Sequence, residues 1–247
     1  MKYIFGNWKM YLDFEESVIL AQALAEGNFD KQKNELAVFP TTLAMREVVM
    51  CLNGSGIVVG AQDVAWAPKG AYTGAVSAHM FKAVGCKYAL VGHSERRHVF
   101  GESDEDVRKK IEACVDAGLI PVVCVGETQE DLDENKREYR LKKQLMKAFD
   151  GLQLDGGGVM VAYEPVWAIG TGKPCSPDEA DSVQGWIKME LKQYLTREVP
   201  VLYGGSVNAE NVVSYVARDV IDGVLVGGAS AKLDSFVKLI KAVEEHV

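Results

Sequence analysis

Residues 120–126 read Ile120-Pro121-Val122-Val123-Cys124-Val125-Gly126, and this stretch indicates the fold class. Its apolar residues are continuous and do not alternate with polar ones, which predicts a strand that is buried on both faces. A parallel sheet covered by helices provides that burial. Similar runs recur at 3–6, 36–39, 57–61, 88–92, 159–163, 199–203 and 223–226. The sequence therefore predicts eight parallel strands.

Helical patterns fill the intervals between these runs. The runs begin 21 to 40 residues apart, which leaves room for one crossover helix between neighbours. A doubly wound open sheet is the rival fold, but it needs a glycine-rich turn after the first strand, where Asn7-Trp8-Lys9 stands instead. We expect one domain over residues 1–247, a single α/β domain of the (β/α)8 barrel type. Apolar spacing of three and four residues predicts helices at 14–26, 104–117, 131–149, 177–195 and 232–246.

Composition and charge exclude several classes of function. The net charge of −8 and the pI of about 5.1 predict repulsion from nucleic acids and from anionic membranes. The first six residues, 1–6, lack the pattern of a signal peptide, so we expect a cytoplasmic protein. The five cysteines form no CxxC pair, which favours reduced thiols over a metal or redox site.

Polar side chains cluster where the predicted strands end. Active sites of such barrels lie on the loops that follow the carboxyl ends of the strands. Each residue alone is compatible with a surface, capping or core role, but their joint position on one rim favours an active site. The residues are Asn7 and Lys9, Gln62, His93 and Glu95, Glu127, and Glu164.

Two glycine pairs follow the last two strands. Gly204-Gly205-Ser206 and Gly227-Gly228 lack side chains that would keep an anion away from the backbone N–H groups. Tight turns alone would also explain the glycines. Loops after strands seven and eight are, however, the usual phosphate sites of these barrels, so we expect a phosphate site here.

A mostly apolar loop follows Glu164, and two glycines close it. Exposed Val, Trp and Ile side chains are unfavourable unless the loop covers a ligand, so this pattern predicts a lid. The lid residues are Pro165, Val166, Trp167, Ala168, Ile169, Gly170, Thr171, Gly172 and Lys173.

Five motifs in this order and spacing resemble the triosephosphate isomerase family, whose fold is the TIM barrel, and the likeness spans the whole chain. The motifs are Asn7-Trp8-Lys9-Met10, Val91-Gly92-His93-Ser94-Glu95-Arg96-Arg97, Cys124-Val125-Gly126-Glu127, the stretch from Ala162-Tyr163-Glu164-Pro165 to Gly172, and Tyr203-Gly204-Gly205-Ser206-Val207.

This resemblance implies an aldose-ketose isomerase of glycolysis and gluconeogenesis that works without a cofactor or metal. It implies that Glu164 moves the proton between two carbons of a triose phosphate and that His93 polarises the carbonyl. Lys9 would offset negative charge, Asn7 would be a further donor, and Glu95 would orient its neighbours. The residues expected to bind phosphate through backbone N–H groups are Gly170, Ser206, Gly227 and Gly228.

The resemblance also implies a homodimer whose third loop, with Thr73, Gly74 and Ala75, inserts into the second subunit. The family commonly has Glu where Ala75 stands, and this change removes an expected partner of Arg97. Asp63 likewise replaces a common Asn.

Two other interpretations remain open at this point. One is a catalytically silent barrel that binds a phosphate ligand, although no expected catalytic position is substituted. The other is a different sugar-phosphate barrel enzyme, such as an aldolase. A Schiff-base aldolase needs a lysine on a strand, where strand six has Glu164.

Overall fold

Eight parallel strands form a closed barrel in the computed structural model, which describes residues 1–154, 158–169 and 174–246. Each strand pairs with the next in sequence, and β1 pairs with β8 to close the ladder. This arrangement confirms the predicted (β/α)8 fold. The strands are β1 (Lys2–Asn7), β2 (Asn34–Phe39), β3 (Val58–Ala61), β4 (Tyr88–Val91), β5 (Ile120–Val125), β6 (Met160–Tyr163), β7 (Val201–Tyr203) and β8 (Gly223–Val226).

Helices connect the strands around the outside of the barrel. Two short 3-10 turns, at Val166–Ala168 and Gly228–Ala231, lie at the ends of β6 and β8. In the described part of the chain the helices are α1 (Phe14–Ala25), α2 (Met45–Cys51), α3 (Ala78–Ala83), α4 (Ser94–His98), α5 (Asp104–Asp116), α6 (Gln129–Asp133), α7 (Arg137–Phe149), α8 (Pro177–Leu191), α9 (Val212–Val216) and α10 (Leu233–His246).

One predicted helix is wrong, because residues 131–149 do not form a continuous helix. The chain forms α6 and α7 instead, and Asn135 between them has a φ of 55°. Asparagine tolerates this left-handed conformation better than most residues. The conformation interrupts the helical hydrogen bonding between α6 and α7. The break places Arg137 at the start of α7.

Alternate strand residues pack into two layers, which explains the continuous apolar runs. One set fills the barrel interior, where the Phe5 ring lies 4.8 Å from Tyr88 and 5.7 Å from Phe39 between centroids. The other set, including Ile4 and Val123, packs against the helices. Both faces of the sheet are therefore buried. Among the described residues no helix combines the length and apolar character needed to cross a bilayer.

The burial of the cysteines predicts which of them reacts with a thiol reagent. Burial raises the pKa of the Cys86, Cys114 and Cys175 thiols to about 12, and Cys124 is completely buried, whereas Cys51 is partly exposed. Because the thiolate is the reactive form, at pH 8 we expect Ellman's reagent to modify Cys51 first and the others only on unfolding. Fast modification of a second thiol in the native protein would contradict this assignment.

Candidate active site

The carboxyl ends of the strands surround a pocket of about 640 Å³. Glu164 and His93 contact each other at its wall, and Ser206 of the predicted phosphate site also lines it. The described residues predicted for the site are thus brought together at one rim. Those lining the pocket are Asn7, Lys9, His93, Glu95, Glu164, Ser206, Gly227 and Gly228.

The Glu164 carboxylate is almost completely buried and is held by two donors. Its Oε1 lies 3.1 Å from Nε2 of His93, and its Oε2 accepts a hydrogen bond from the backbone N–H of Ser94 at 2.8 Å. Glu164 has an exposed fraction of 2%. A buried carboxylate with two donors keeps its place, because leaving either oxygen unpaired costs free energy.

The hydrogen bonds of His93 assign its proton. The residue caps α4, and its Nδ1 accepts the backbone N–H of Glu95 at 3.2 Å. In a neutral imidazole the other nitrogen must then carry the hydrogen, so Nε2–H points to Glu164. The Nε2–H of His93 and the carboxylate of Glu164 form a donor and acceptor pair at the pocket wall.

Lys9 reaches the pocket from a strained backbone. Its φ of 49° lies in the left-handed region, and its Nζ lies 2.7 Å from Oε1 of Glu95. Gln62 holds this conformation, since its Nε2 donates to the carbonyl of Lys9 at 2.7 Å and to that of Phe39 at 2.9 Å. Asn7 Oδ1 accepts the backbone N–H of Lys9 at 3.0 Å. Sequence patterns placed Gln62 at the rim but did not reveal this role.

The glycines leave room for their neighbours at the same rim. A Cβ on Gly204 would lie 2.9 Å from Cγ of Glu164, and one on Gly227 would lie 3.3 Å from Cε of Lys9. Any side chain at Gly204 would therefore displace Glu164. The Ser206 hydroxyl donates to the carbonyl of Ala168 at 3.1 Å, which connects the loop after β7 with the segment after β6.

The predicted lid lies partly within the described chain. In residues 165–169, Val166 and Ile169 line the pocket, while Trp167 donates from Nε1 to Oε1 of Glu127 at 2.8 Å. Glu127 is completely buried, and it was singled out from the sequence only as a polar strand end. The remaining predicted lid residues, Gly170, Thr171, Gly172 and Lys173, lie outside the described residues, as does the phosphate contact predicted for Gly170.

The predicted dimer loop is exposed and borders a second cavity of about 760 Å³. Gly74 and Ala75 line this cavity, and Thr73 lies beside them in the exposed loop. Asp63, also at the cavity, pairs with the buried Nζ of Lys110 at 2.6 Å.

Arg97 is held within its own chain even though Ala75 cannot pair with it. Its guanidinium donates to Asp104 at 2.6 Å, to the carbonyl of Gly92 at 2.7 Å and to that of Cys124 at 3.2 Å. These contacts hold Arg97 without the Glu that the family commonly has at position 75.

The site offers acid-base chemistry built from a carboxylate, an imidazole and an ammonium group. Among the described residues no group of three or more His, Cys, Asp and Glu side chains could hold a metal ion. A base beside a hydrogen-bond donor suits proton abstraction next to a carbonyl, because the developing oxyanion needs a donor.

Comparison of the sequence with known proteins points to one family. The sequence model of the family described as triosephosphate isomerase matches residues 2–243. The chain is 42% identical over 240 residues to the triosephosphate isomerase of Endomicrobium trichonymphae, and the match covers 96% of each chain. It is 41% identical over 238 residues to that of a Nostoc species, covering 96% of this chain and 97% of the relative. A Roseiflexus triosephosphate isomerase is 41% identical over 240 residues, with 95% and 94% covered.

The contacts of Gln62 predict a stability effect. In Gln62→Leu the carbonyl of Lys9 loses its side-chain donor, while that of Phe39 keeps the backbone N–H of Trp8, so the free energy of unfolding should fall by about 1–3 kcal/mol. Urea unfolding measures this change. Gln129→Leu is the control, because Gln129 is exposed and its side chain bonds, among the described residues, with Asp133 on the same short helix. Equal stability of the two variants would show that Gln62 does not hold Lys9.

Proposed function

The chain belongs to the triosephosphate isomerase family, and we propose that Glu164 and His93 catalyse the interconversion of dihydroxyacetone phosphate and D-glyceraldehyde 3-phosphate. The observation that carries this proposal is the 3.1 Å contact between His93 Nε2 and Glu164 Oε1 at the pocket wall. A base and a neutral donor lie together where the substrate enters.

Glu164 acts as the base in this mechanism. Both oxygens of Glu164 accept hydrogen bonds from the protein when no substrate is bound. The carboxylate therefore has to leave the N–H of Ser94 and turn towards the substrate carbon. It removes a proton from the carbon next to the carbonyl, and the electron pair of that C–H bond forms the enediolate. Returning the proton to the neighbouring carbon completes the isomerisation. No electron leaves the substrate, so the reaction needs no redox cofactor.

His93 and Lys9 stabilise the charge that develops on oxygen. His93 donates from Nε2 to the carbonyl oxygen and passes a proton between the two substrate oxygens, returning to its neutral form. The Lys9 ammonium group faces the same pocket and offsets the negative charge of enediolate and phosphate. Asn7 offers its Nδ2, because its Oδ1 is occupied by Lys9, and Glu95 orients both Lys9 and His93.

The glycine loops bind the phosphate of the substrate. Ser206, Gly227 and Gly228 line the pocket, and Gly170 belongs to the same set by its place in the family motif. Backbone N–H groups suit this anion because glycine leaves them accessible. Closure of the lid, residues 165–173, would cover Val166 and Ile169 and keep water from the enediolate.

The proposal includes a homodimer in the cytoplasm, without nucleic acid, membrane or metal partners. Several large apolar side chains line the second cavity and are exposed, including Met10 at 94% and Phe100 at 66%. Exposed apolar surface of this kind favours burial against another chain. A second copy of this chain is the partner proposed for this surface, since the predicted dimer loop with Ala75 borders the same cavity.

The role of Glu164 predicts a loss of turnover. Glu164→Gln keeps the size of the side chain, but it has one acceptor oxygen instead of two and cannot take up the proton, so kcat should fall by at least ~100-fold. A coupled dehydrogenase assay measures it, with Glu134→Gln, an exposed residue outside the pocket, as the control. Unchanged turnover would exclude Glu164 as the base.

Tight binding of an enediolate analogue by a wild-type protein without turnover would favour the silent binding barrel.

The dimer predicts a concentration-dependent association. Phe100→Asp places a charge on the apolar surface, and we expect the dissociation constant to rise at least about tenfold. Sedimentation velocity over a concentration series measures this. Ile19→Asp is the control, because Ile19 is equally exposed, at 65%, but does not line the cavity. A wild-type protein that sediments as a monomer throughout would contradict the dimer.

A further inference from the structure

Arg137 connects two carboxylates that belong to different parts of the barrel. Its Nε donates to Oε1 of Glu127 at 3.0 Å, and its Nη2 pairs with Oε1 of Glu179. Glu127 follows β5 and Glu179 lies in the first turn of α8. The Arg137 side chain is mostly buried, and it is absent from the residues that line the substrate pocket.

Glu127 is the centre of this group. Its Oε1 also accepts hydrogen bonds from the Tyr163 hydroxyl at 2.9 Å and from Trp167 Nε1 at 2.8 Å. Burial raises the pKa of Tyr163, so the phenol keeps its hydrogen and remains a donor. A fully buried carboxylate is unfavourable without a cation, and Arg137 is the cation that contacts it.

Two of the three donors, Tyr163 and Trp167, flank the proposed base in the sequence. Tyr163 precedes the proposed base, and Trp167 follows it by three residues. The backbone joins the same group, since Val166 N–H donates to the carbonyl of Glu127 at 3.0 Å and Glu164 N–H to that of Val125 at 2.8 Å. The position of Glu127 therefore fixes the position of residues 163–167.

Through Glu179, Arg137 also contacts the start of helix α8. The hydroxyl of Ser176 caps α8 by accepting the backbone N–H of Glu179 at 3.2 Å, so Glu179 is part of the first turn of this helix. Arg137 thus contacts the start of α8 as well as the carboxylate that holds Trp167.

We propose that Arg137 is a positioning residue for the isomerisation: by pairing with Glu127 and Glu179 together, it holds the segment after Glu164 and the start of α8 in a fixed relation. This inference rests on the proposed function of Glu164. Arginine suits the task because its planar group presents several donors in a fixed geometry, whereas a lysine offers one nitrogen.

Arg137→Lys tests the connection because it keeps the charge and the fold but cannot reach both carboxylates in the same geometry. We expect kcat to fall about tenfold while KM changes less than about twofold, since the substrate contacts remain and the base is misplaced. Glu179→Gln should reproduce part of the loss. The double variant should be no slower than Arg137→Lys, because both changes remove one connection.

Arg140→Lys is the matched control. Arg140 lies on the same helix and pairs with Asp131 at 3.1 Å, but neither residue contacts Glu127 or the segment after Glu164 in the described structure. We expect its kcat and KM to equal those of the wild type. A loss as large as that of Arg137→Lys would show a general effect of the helix and overturn the proposal.

The emission of Trp167 reports the same connection without substrate. The difference between the spectra of each protein and its Trp167→Phe counterpart isolates this indole from the other three tryptophans. In Arg137→Lys we expect a shift to longer wavelength, because a less firmly held indole becomes more exposed to water. Wild-type emission together with wild-type kcat would overturn the proposal. An emission shift in a protein whose wild type has no isomerase activity would instead overturn the proposed function.

Discussion

The closed ladder of parallel hydrogen bonds is the constraint on which the other features depend. Because β1 pairs with β8 as well as with β2, the carboxyl ends of all eight strands face one rim. Asn7 and Glu164 lie at the ends of strands that are not neighbours, yet they line one pocket. An open sheet would spread these strand ends along an edge, whereas closure gathers them around a pocket of small-molecule size.

Buried carboxylates at this rim are tolerated because both oxygens of Glu164 and Oε1 of Glu127 have specific donors. Glu164 has His93 and the backbone of Ser94, and Glu127 has Arg137, Tyr163 and Trp167. The two groups are joined through strand β6 and its following loop. The same low-dielectric surroundings that make an unpaired carboxylate costly also strengthen its hydrogen bonds, so this paired arrangement orders the site.

Several contacts that support the site come from within the single chain. Arg97 is satisfied by Asp104 and two carbonyls, and Gln62 supports the strained backbone of Lys9. Exposed apolar residues such as Phe100 border the cavity beside the dimer loop. The described parts of the site thus contact one another within one chain.

The sequence by itself determined the eight strands, the fold class and the polar strand ends, because apolar periodicity and glycine pairs are local signals. It failed at 131–149, where a single Asn135 with positive φ divides the predicted helix, since helical spacing continues across the break. Only the tertiary structure decided which polar groups meet. Ser94 and Glu164 are 70 positions apart, Gln62 and Lys9 are 53, and Arg137 and Glu179 are 42. No local pattern records such distances, because barrel closure and side-chain packing set them.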